Sequence, residues 1–495
     1  MNKAKVQLDY PSPMRTVYVA AAALVVVLIL LASILVAAPS VLSSGKKSQP
    51  TSLSLPPSLF SSTGSAAGSQ TTSAVRGSGG ADWTTYHTNN DRTAYLPYAN
   101  FTSVTQSWTS PTLDGLVFAE PLVYGVDVFV ATENNSVYAL SAQSGEVIWR
   151  TNLGTPVDSS TLPCGDIVPV TGITGTPVID PSTGILYVVS FDRRTFGHFL
   201  NAINVSDGAV VFRRPADPQG SNVMVEQERS ALSLANGMVY IPYGGLAGDC
   251  GQYNGLVVGL PENGTGNMVL YRVPTSREGG IWAPSGAAVD SSGNVYIATG
   301  NGASITTYDH GDSVIALSPT LVEQGNFAPT NWSVLNQNDV DIGSVGPAIV
   351  GPNLLFIIGK EGVGYLLNSS NLGGIGGQNF EANVCNESFG GTAFANSTIF
   401  VPCINGLFEL DLVNSTFFST RLEVAGFNAG PPIVTGGVVW SVDDNSGTLY
   451  GLSVATGHEA YSFSLGSVEH FTTPAAGDGH LFVAAADEVI SFVLG

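Results

Sequence analysis

SVYALSAQSGEVIWRTNLG, Ser136 to Gly154, decides how this chain is read. Apolar residues alternate through VYALS, a Ser-Gly turn interrupts them, and a second strand carrying Trp149 follows. Period-two alternation broken by a glycine turn marks a β-hairpin. The same cadence returns far along the chain as LYGLSVATGHEAYSFSLG, Leu449 to Gly466. Two distant copies mean an internal repeat, and repeats settle architecture before any single motif does.

Short openings of the form small-Thr/Pro-apolar mark the units. AEPLV begins at Ala119, GTPVI at Gly175, RSALSL at Arg229 and SGAAV at Ser285. VGPAIV begins at Val345, GTAFA at Gly391, AGPPIV at Ala429 and TTPAAG at Thr472. Eight openings recur about 38 to 60 residues apart, each followed by a tight turn and further strands. Four strands repeated radially make a β-propeller. The last unit, Gly479 to Gly495, stops after its third strand. VTQSWTSPTL, Val104 to Leu113, offers the missing outer strand, with Trp108 where Trp149 stands in the first repeat. Closing the ring this way removes two free sheet edges. The expectation is an all-β, eight-bladed propeller; a β-sandwich, the competing reading, explains neither the regular period nor the complementary ends.

VYALSAQSGEVIW and LYGLSVATGHEAY resemble the repeats of pyrroloquinoline-quinone (PQQ)-type eight-bladed propellers. CGDIVPVTGITGTPVID, REGGIWAPSGAAVDSSGNVYIATGNG and GKEGVGYLL resemble a secreted branch of that superfamily. The resemblance covers about Ala81 to Gly495 and implies fold more than function.

Gly 58 in 495 residues, 44% apolar and 11% charged, suits a turn-rich β protein with ample core. The net charge of −21 argues against nucleic acid, which wants a basic face. Sign is divided along the chain. Up to Gly80 there are six Lys/Arg and one acid, Asp9, leaving 11 basic and 37 acidic residues beyond, with Lys360 the sole lysine there. So many acids suit an acidic exterior, where protonation lowers repulsion.

Val17 to Val36 runs without a charge for long enough to cross a bilayer. The expected organisation is a cytoplasmic segment 1–16, an uncleaved anchor 17–38, a Ser/Thr/Gly/Pro-rich linker 39–80 and a propeller 81–495 outside the cytoplasm. A signal cleaved near Ala37-Ala38 is the alternative, and would make the protein secreted. Nine N-x-S/T sequons, among them Asn100, Asn134, Asn204, Asn331, Asn386 and Asn414, permit glycosylation there.

In a four-stranded blade, the loops entering the inner strand and those joining strands two and three share one face. That face collects the long loops, which is where binding sits on a rigid scaffold. All four cysteines fall on it. Cys385 and Cys403 flank one blade, and Cys164 and Cys250 lie on neighbouring blades, so disulfides Cys164–Cys250 and Cys385–Cys403 are expected, and the lack of a CxxC argues against zinc. Arg229, Trp282, Lys360 and Glu361 are the candidate ligand-binding residues on the same face, with Lys360 within reach of carboxylates from neighbouring blades. Each has a plainer reading: Trp282 as packing, Lys360 with Glu361 as an ion pair, Asp339 and Asp341 as turn caps.

The resemblance raises a quinone question. PQQ dehydrogenases show an adjacent Cys-Cys pair over the quinone, a tryptophan floor, and a Glu/Asn/Asp calcium site with a catalytic Asp. No two cysteines are adjacent here, and the outer-strand aromatic varies: Trp149, Phe212, Trp332, Tyr461. No bound quinone is expected, making a PQQ-dependent dehydrogenase the third choice. His198 and His310 lack metal-pair spacing, and no metal site is assigned. Asp309, Asp312, Asp339 and Asp341 leave calcium open, although no D-x-D-x-D-G loop is present. The reading is a membrane-anchored binding or scaffold module for a small anionic ligand or another cell-surface protein. Its alternative is an acid-stable hydrolase similar to the tetrathionate hydrolases of acidophiles, with Asp341 and Glu228 as acid and base.

Overall fold

Apolar strands punctuated by Gly, Asn and Asp turns fold into eight blades, each built on four antiparallel strands, and three of the blades gain a short fifth strand. The computed structural model describes residues 81–98 and 100–495. The expected cytoplasmic segment, anchor and linker lie outside these residues. Among the described residues, no helix is long and apolar enough to cross a membrane. The inner strands begin with Leu122–Tyr124 in blade 1 and Val178–Asp180 in blade 2, and run round to Ala475–Gly477 in blade 8. Every predicted opening leads into one of them.

Blade 1 shows why the sequence takes this form. Its second strand, Asp127–Thr132, is buried throughout, because both sheet faces meet neighbouring blades. Its outer strand, Val147–Asn152, alternates exposed and half-buried positions. Trp149 reaches sideways from that strand and donates from Nε1 to the Val205 carbonyl, 2.9 Å, at a turn of blade 2. Gly208 in that turn has φ 72°, and a Cβ there would stand 2.6 Å from the indole. Glycine is required on both counts.

The ring closes as expected. Val104–Thr109 pairs antiparallel with Glu488–Leu494 in blade 8, with Val104 opposite Leu494. Trp108 donates to the Ala142 carbonyl at 2.9 Å and lies over Gly145. It does for blade 1 what Trp149 does for blade 2. Trp332 departs from the expectation: it opens the helix Trp332–Asn338 rather than standing on an outer strand. Blade 4's outer strand, Glu323–Ala328, has already ended, and Pro329 follows it. Both disulfides form as expected, with Cα separations of 6.1 Å for Cys164–Cys250 and 6.4 Å for Cys385–Cys403.

Residues 83–96 close one end of the central channel. Trp83 exchanges backbone hydrogen bonds with Val123 of blade 1. The carbonyls of Thr84, Asn90, Asp91, Thr93 and Ala94 accept from Ile179, Val289, Ile349, Phe394 and Val434, inner-strand amides of blades 2, 4, 5, 6 and 7. Arg92 donates to the Leu232 carbonyl of blade 3, and Tyr86 meets Thr473 of blade 8. Inner strands would otherwise leave amides unpaired toward the channel. This plug holds His87, Thr88, Arg92 and Ala94 at positive φ. Such backbone is tolerated where surrounding contacts over-determine it.

Candidate functional site

The opposite channel mouth stays open. A pocket of about 340 Å³ lies there, lined by Arg229, Trp282, Asp341, Lys360, Phe389 and Phe471 among others. Its residues come from loops that enter inner strands and from loops joining strands two and three, Lys360 and Gly245 to Asp249 among the latter. A second, very small cavity touches both Arg229 and Tyr86, so the plug begins just beneath the pocket floor.

Lys360 and Asp341 face each other across blade 5's own two loops. Nζ lies 2.8 Å from Asp341 Oδ1 and 3.2 Å from Asp339 Oδ1. The carboxylates therefore belong to the same blade as the lysine, not to its neighbours. Asp341 is buried, and burial pushes its carboxyl upward despite the ammonium. Burial also works against the Lys360 charge, but the combined attraction of Asp341 and Asp339 leaves that group raised. Trp282 Nε1 donates to Asp341 Oδ2 at 3.3 Å, and Lys360 Nζ stands 5.7 Å from the indole centroid.

Arg229 is placed differently. Nη2 lies 3.0 Å from His470 Nε2, and the guanidinium sits 5.0 Å over the Phe471 ring. Among the described residues, no carboxylate lies within ion-pair distance of it. Burial, then the Arg229 charge, pulls His470 down to about 4, so a neutral imidazole accepts from the guanidinium. His470 Nε2 is also 3.6 Å from Asp166 Oδ2.

Glu361 and Glu228 are not brought into this pocket. Glu361 accepts from Asn331 Nδ2 at 2.7 Å and from the Tyr365 hydroxyl at 3.2 Å. It forms no pair with Lys360. Glu228 is buried beside Gly175, and burial reinforced by the Glu133 charge raises its carboxyl well above the usual range.

The sequence profile of outer membrane protein assembly factor BamB matches residues 76–319. Among solved structures, the chain is similar to quinohemoprotein alcohol dehydrogenase ADHIIG from Pseudomonas putida HK5, at 14% identity and a TM-score of 0.64 over 84% of this chain and 80% of that one. A europium-containing methanol dehydrogenase matches at 15% identity and 0.63, covering 83% and 98%. BamB from Moraxella catarrhalis matches at 14% and 0.55, covering 79% and 100%.

The chain is a PQQ-like eight-bladed β-propeller.

No curated protein matches this sequence. At such identities the likeness carries the fold alone. This PQQ-like propeller has a tryptophan, Trp282, and an aspartate, Asp341, at the channel mouth. Both cystines join residues far apart, 86 and 18 positions, so none is vicinal. Lys360 already supplies the positive charge beside Asp341. Among the described residues, no three His, Cys, Asp or Glu side chains gather as a metal site. Asp309 instead accepts from Thr275 Oγ1 and from the Ala303 and Ser304 amides.

Phe389, His470 and Phe471 escaped the sequence reading. Phe389 and Phe471 stack with centroids 5.9 Å apart and rings 24° from parallel, forming a wall of the pocket. Their signal was positional: HFTTP and SFGGT stand just before inner strands, as QERSAL does.

Proposed function

We propose that this propeller is an extracytoplasmic small-molecule-binding module, working without a quinone, whose ligand carries an anionic group. One observation carries the reading. Arg229 offers a guanidinium at the channel mouth with no carboxylate in ion-pair range among the described residues, and its side-chain partner there is a neutral imidazole. Asp166 and Glu133 attract the guanidinium only from beyond contact distance, and a ligand anion would supply a direct counter-charge through a charge-assisted, bidentate contact. Phe389, Phe471 and Trp282 would cover its apolar body. A pocket of about 340 Å³ suits a small ligand; its aromatic walls carry charges of both signs, with Asp166, Asp249, Asp339 and Asp341 beside Arg229 and Lys360. Attachment to a membrane rests on the apolar run Val17 to Val36.

Binding is favoured over hydrolysis by the separation of the two carboxylic acids. A hydrolase using Asp341 and Glu228 needs both beside one substrate, whereas Glu228 does not line the pocket and Asp341 is engaged by Lys360. A protein-scaffold role, in the manner of assembly factors, finds support in the structural likeness to BamB.

Calorimetric titration of the full chain in detergent with caproate and with tetrathionate tests this. Binding of caproate that falls at least tenfold in Arg229→Met supports the reading. Turnover of tetrathionate at low pH supports the hydrolase instead, and no Arg229-dependent binding of either anion overturns the proposal. A sulfonate of the same length stays ionised at acid pH. Its affinity should rise as pH falls toward 4, because protonated His470 adds a second positive charge beside Arg229.

A further inference from the structure

A second cavity, of about 240 Å³, adjoins the first and shares Phe389, His470 and Phe471 as a common wall. Its far side is built by Ile404, Asn428 and Asp444. The first cavity carries charges of both signs, Arg229 and Lys360 with four aspartates. No lysine or arginine lines the second, and its one acidic lining residue is Asp444. Asp444 Oδ2 accepts the Phe471 amide at 3.1 Å, which fixes the carboxyl against the wall that divides the cavities. Oδ1 is buried with no hydrogen-bond partner among the described residues.

A buried acceptor with no donor is costly, and native structures rarely leave one without a reason. The protein supplies none here: Gly430 packs against Oδ1, where even a Cβ would stand only 3.0 Å away. The titratable or charged groups near Asp444 are Asp443, which adds repulsion, the Tyr86 hydroxyl of the plug, which is neutral, and His470 across the cavity, which is neutral. Burial accordingly pushes the Asp444 carboxyl up to about 7, with Asp443 adding to it. The Gly430 packing closes Oδ1 off from the cavity, so a ligand meets Asp444 through the atoms that line it; among the described residues no cation pairs with this carboxyl, and a positively charged donor would supply the charge. Aromatic faces at Phe389 and Phe471 suit an ammonium as well as an alkyl chain.

We propose that the two cavities form one bipartite site for a zwitterion, with its anionic group on Arg229, its ammonium on Asp444 and its spacer across the Phe389–Phe471 pair. The inference rests on the anion-binding reading above and extends it to a ligand class: amino acids, or short peptides, whose charges are separated by an apolar stretch. The shared wall makes the two ends cooperate. His470 and Phe471 are consecutive; one contacts Arg229 through its ring nitrogen, and the other gives its amide to Asp444.

The test is a titration series on the full chain in detergent at pH 8, where Asp444 is ionised. The probes are caproate, hexylamine, and ω-amino acids from γ-aminobutyrate through ε-aminocaproate to the eight-carbon homologue. One ω-amino acid should bind at least tenfold tighter than caproate, and hexylamine should bind more weakly than both. Asp444→Asn should remove that gain, so that the ω-amino acid binds this variant no tighter than caproate does, and a cooperative thermal melt shows that the variant is folded. At pH 5 the gain should shrink toward unity. The inference is overturned if no chain length binds tighter than caproate, or if the gain survives Asp444→Asn, while caproate still requires Arg229. If caproate shows no Arg229-dependent binding, the anion-site reading falls, and the bipartite site with it.

Discussion

Each end of the channel holds an arginine, and the two are used in opposite ways. At the closed end Arg92 is fully buried and makes five hydrogen bonds, to the Ala287, Tyr86 and Leu232 carbonyls and the Thr85 and Ser233 hydroxyls. Burial pulls its pKa down to about 10, yet it remains the charged hub that ties the plug to blades 3 and 4. At the open end Arg229 is half-buried and leans on a ring nitrogen and a phenyl face. A guanidinium surrounded by acceptors is structural, whereas one left facing a cavity is available to a ligand. The lesson lies in how completely each donor set is satisfied, because residue type does not separate the two.

The comparison breaks most visibly at Arg92. Arg92→Met takes the donor from the buried Tyr86 and Leu232 carbonyls and the Thr85 hydroxyl, while Ala287 keeps the Ser233 hydroxyl, and should cost about 5 kcal/mol of stability in denaturant unfolding. An effect no larger than that of Arg229→Met would erase the contrast. At the rim of the open end, Cys164→Ser with Cys250→Ser should cost about 4 kcal/mol, since that bridge closes the longer loop. The Cys385–Cys403 pair should contribute less by about 1 kcal/mol, because its loop is shorter.

Lys360→Met leaves the buried Asp341 carboxylate without its cation. It should destabilise by about 3 kcal/mol at pH 7 and by clearly less at pH 4, where Asp341 can take a proton. A loss that ignores pH would mean that packing, not charge, is the lysine's contribution.

Stability should also depend on pH in a direction set by the channel's buried acids. Glu133 and Asp444 are pushed up to about 7 by burial, and Glu120 and Glu228 are raised well above the usual range. Unfolded, these groups ionise near 4 to 4.5. Between there and about 7 the folded state holds more protons, so their stabilisation is complete at low pH and is lost as pH rises. Asp114 and Asp192 are held below their ordinary range by hydrogen bonds and by Arg150 and Arg213, and they weaken the fold only at still lower pH. His470, pulled down to about 4, opposes the trend, as do His87 and His480, both pulled down by burial, but the four acids outnumber these three groups. The melting temperature should therefore be higher at pH 5 than at pH 8, by about 5 °C. The smallest effect belongs to Arg229→Met, at under about 1 kcal/mol of stability, because its charge is not ion-paired.

Much of this was legible in the chain itself. The eight openings, the truncated last repeat and the Trp108 match required the closed ring, since aromatic and turn glycine recur together where blade 8 docks on blade 1, blade 1 on blade 2 and blade 2 on blade 3. Local pattern also placed Arg229, Trp282, Asp341 and Lys360 on one face, because strand alternation fixes which loops share an end of every blade. The cystine partners followed from the same rule. What local pattern cannot hold is which residues meet across the channel. Glu361 follows Lys360 in sequence yet bonds to Asn331 and Tyr365. Phe389, Asp444 and Phe471 come from blades 6, 7 and 8, and only the curvature of the completed ring sets them opposite Arg229 of blade 3. The plug is likewise a tertiary fact. Residues 83–96 carry no repeat, and their conformation is imposed by inner-strand amides that must find acceptors once the ring has closed.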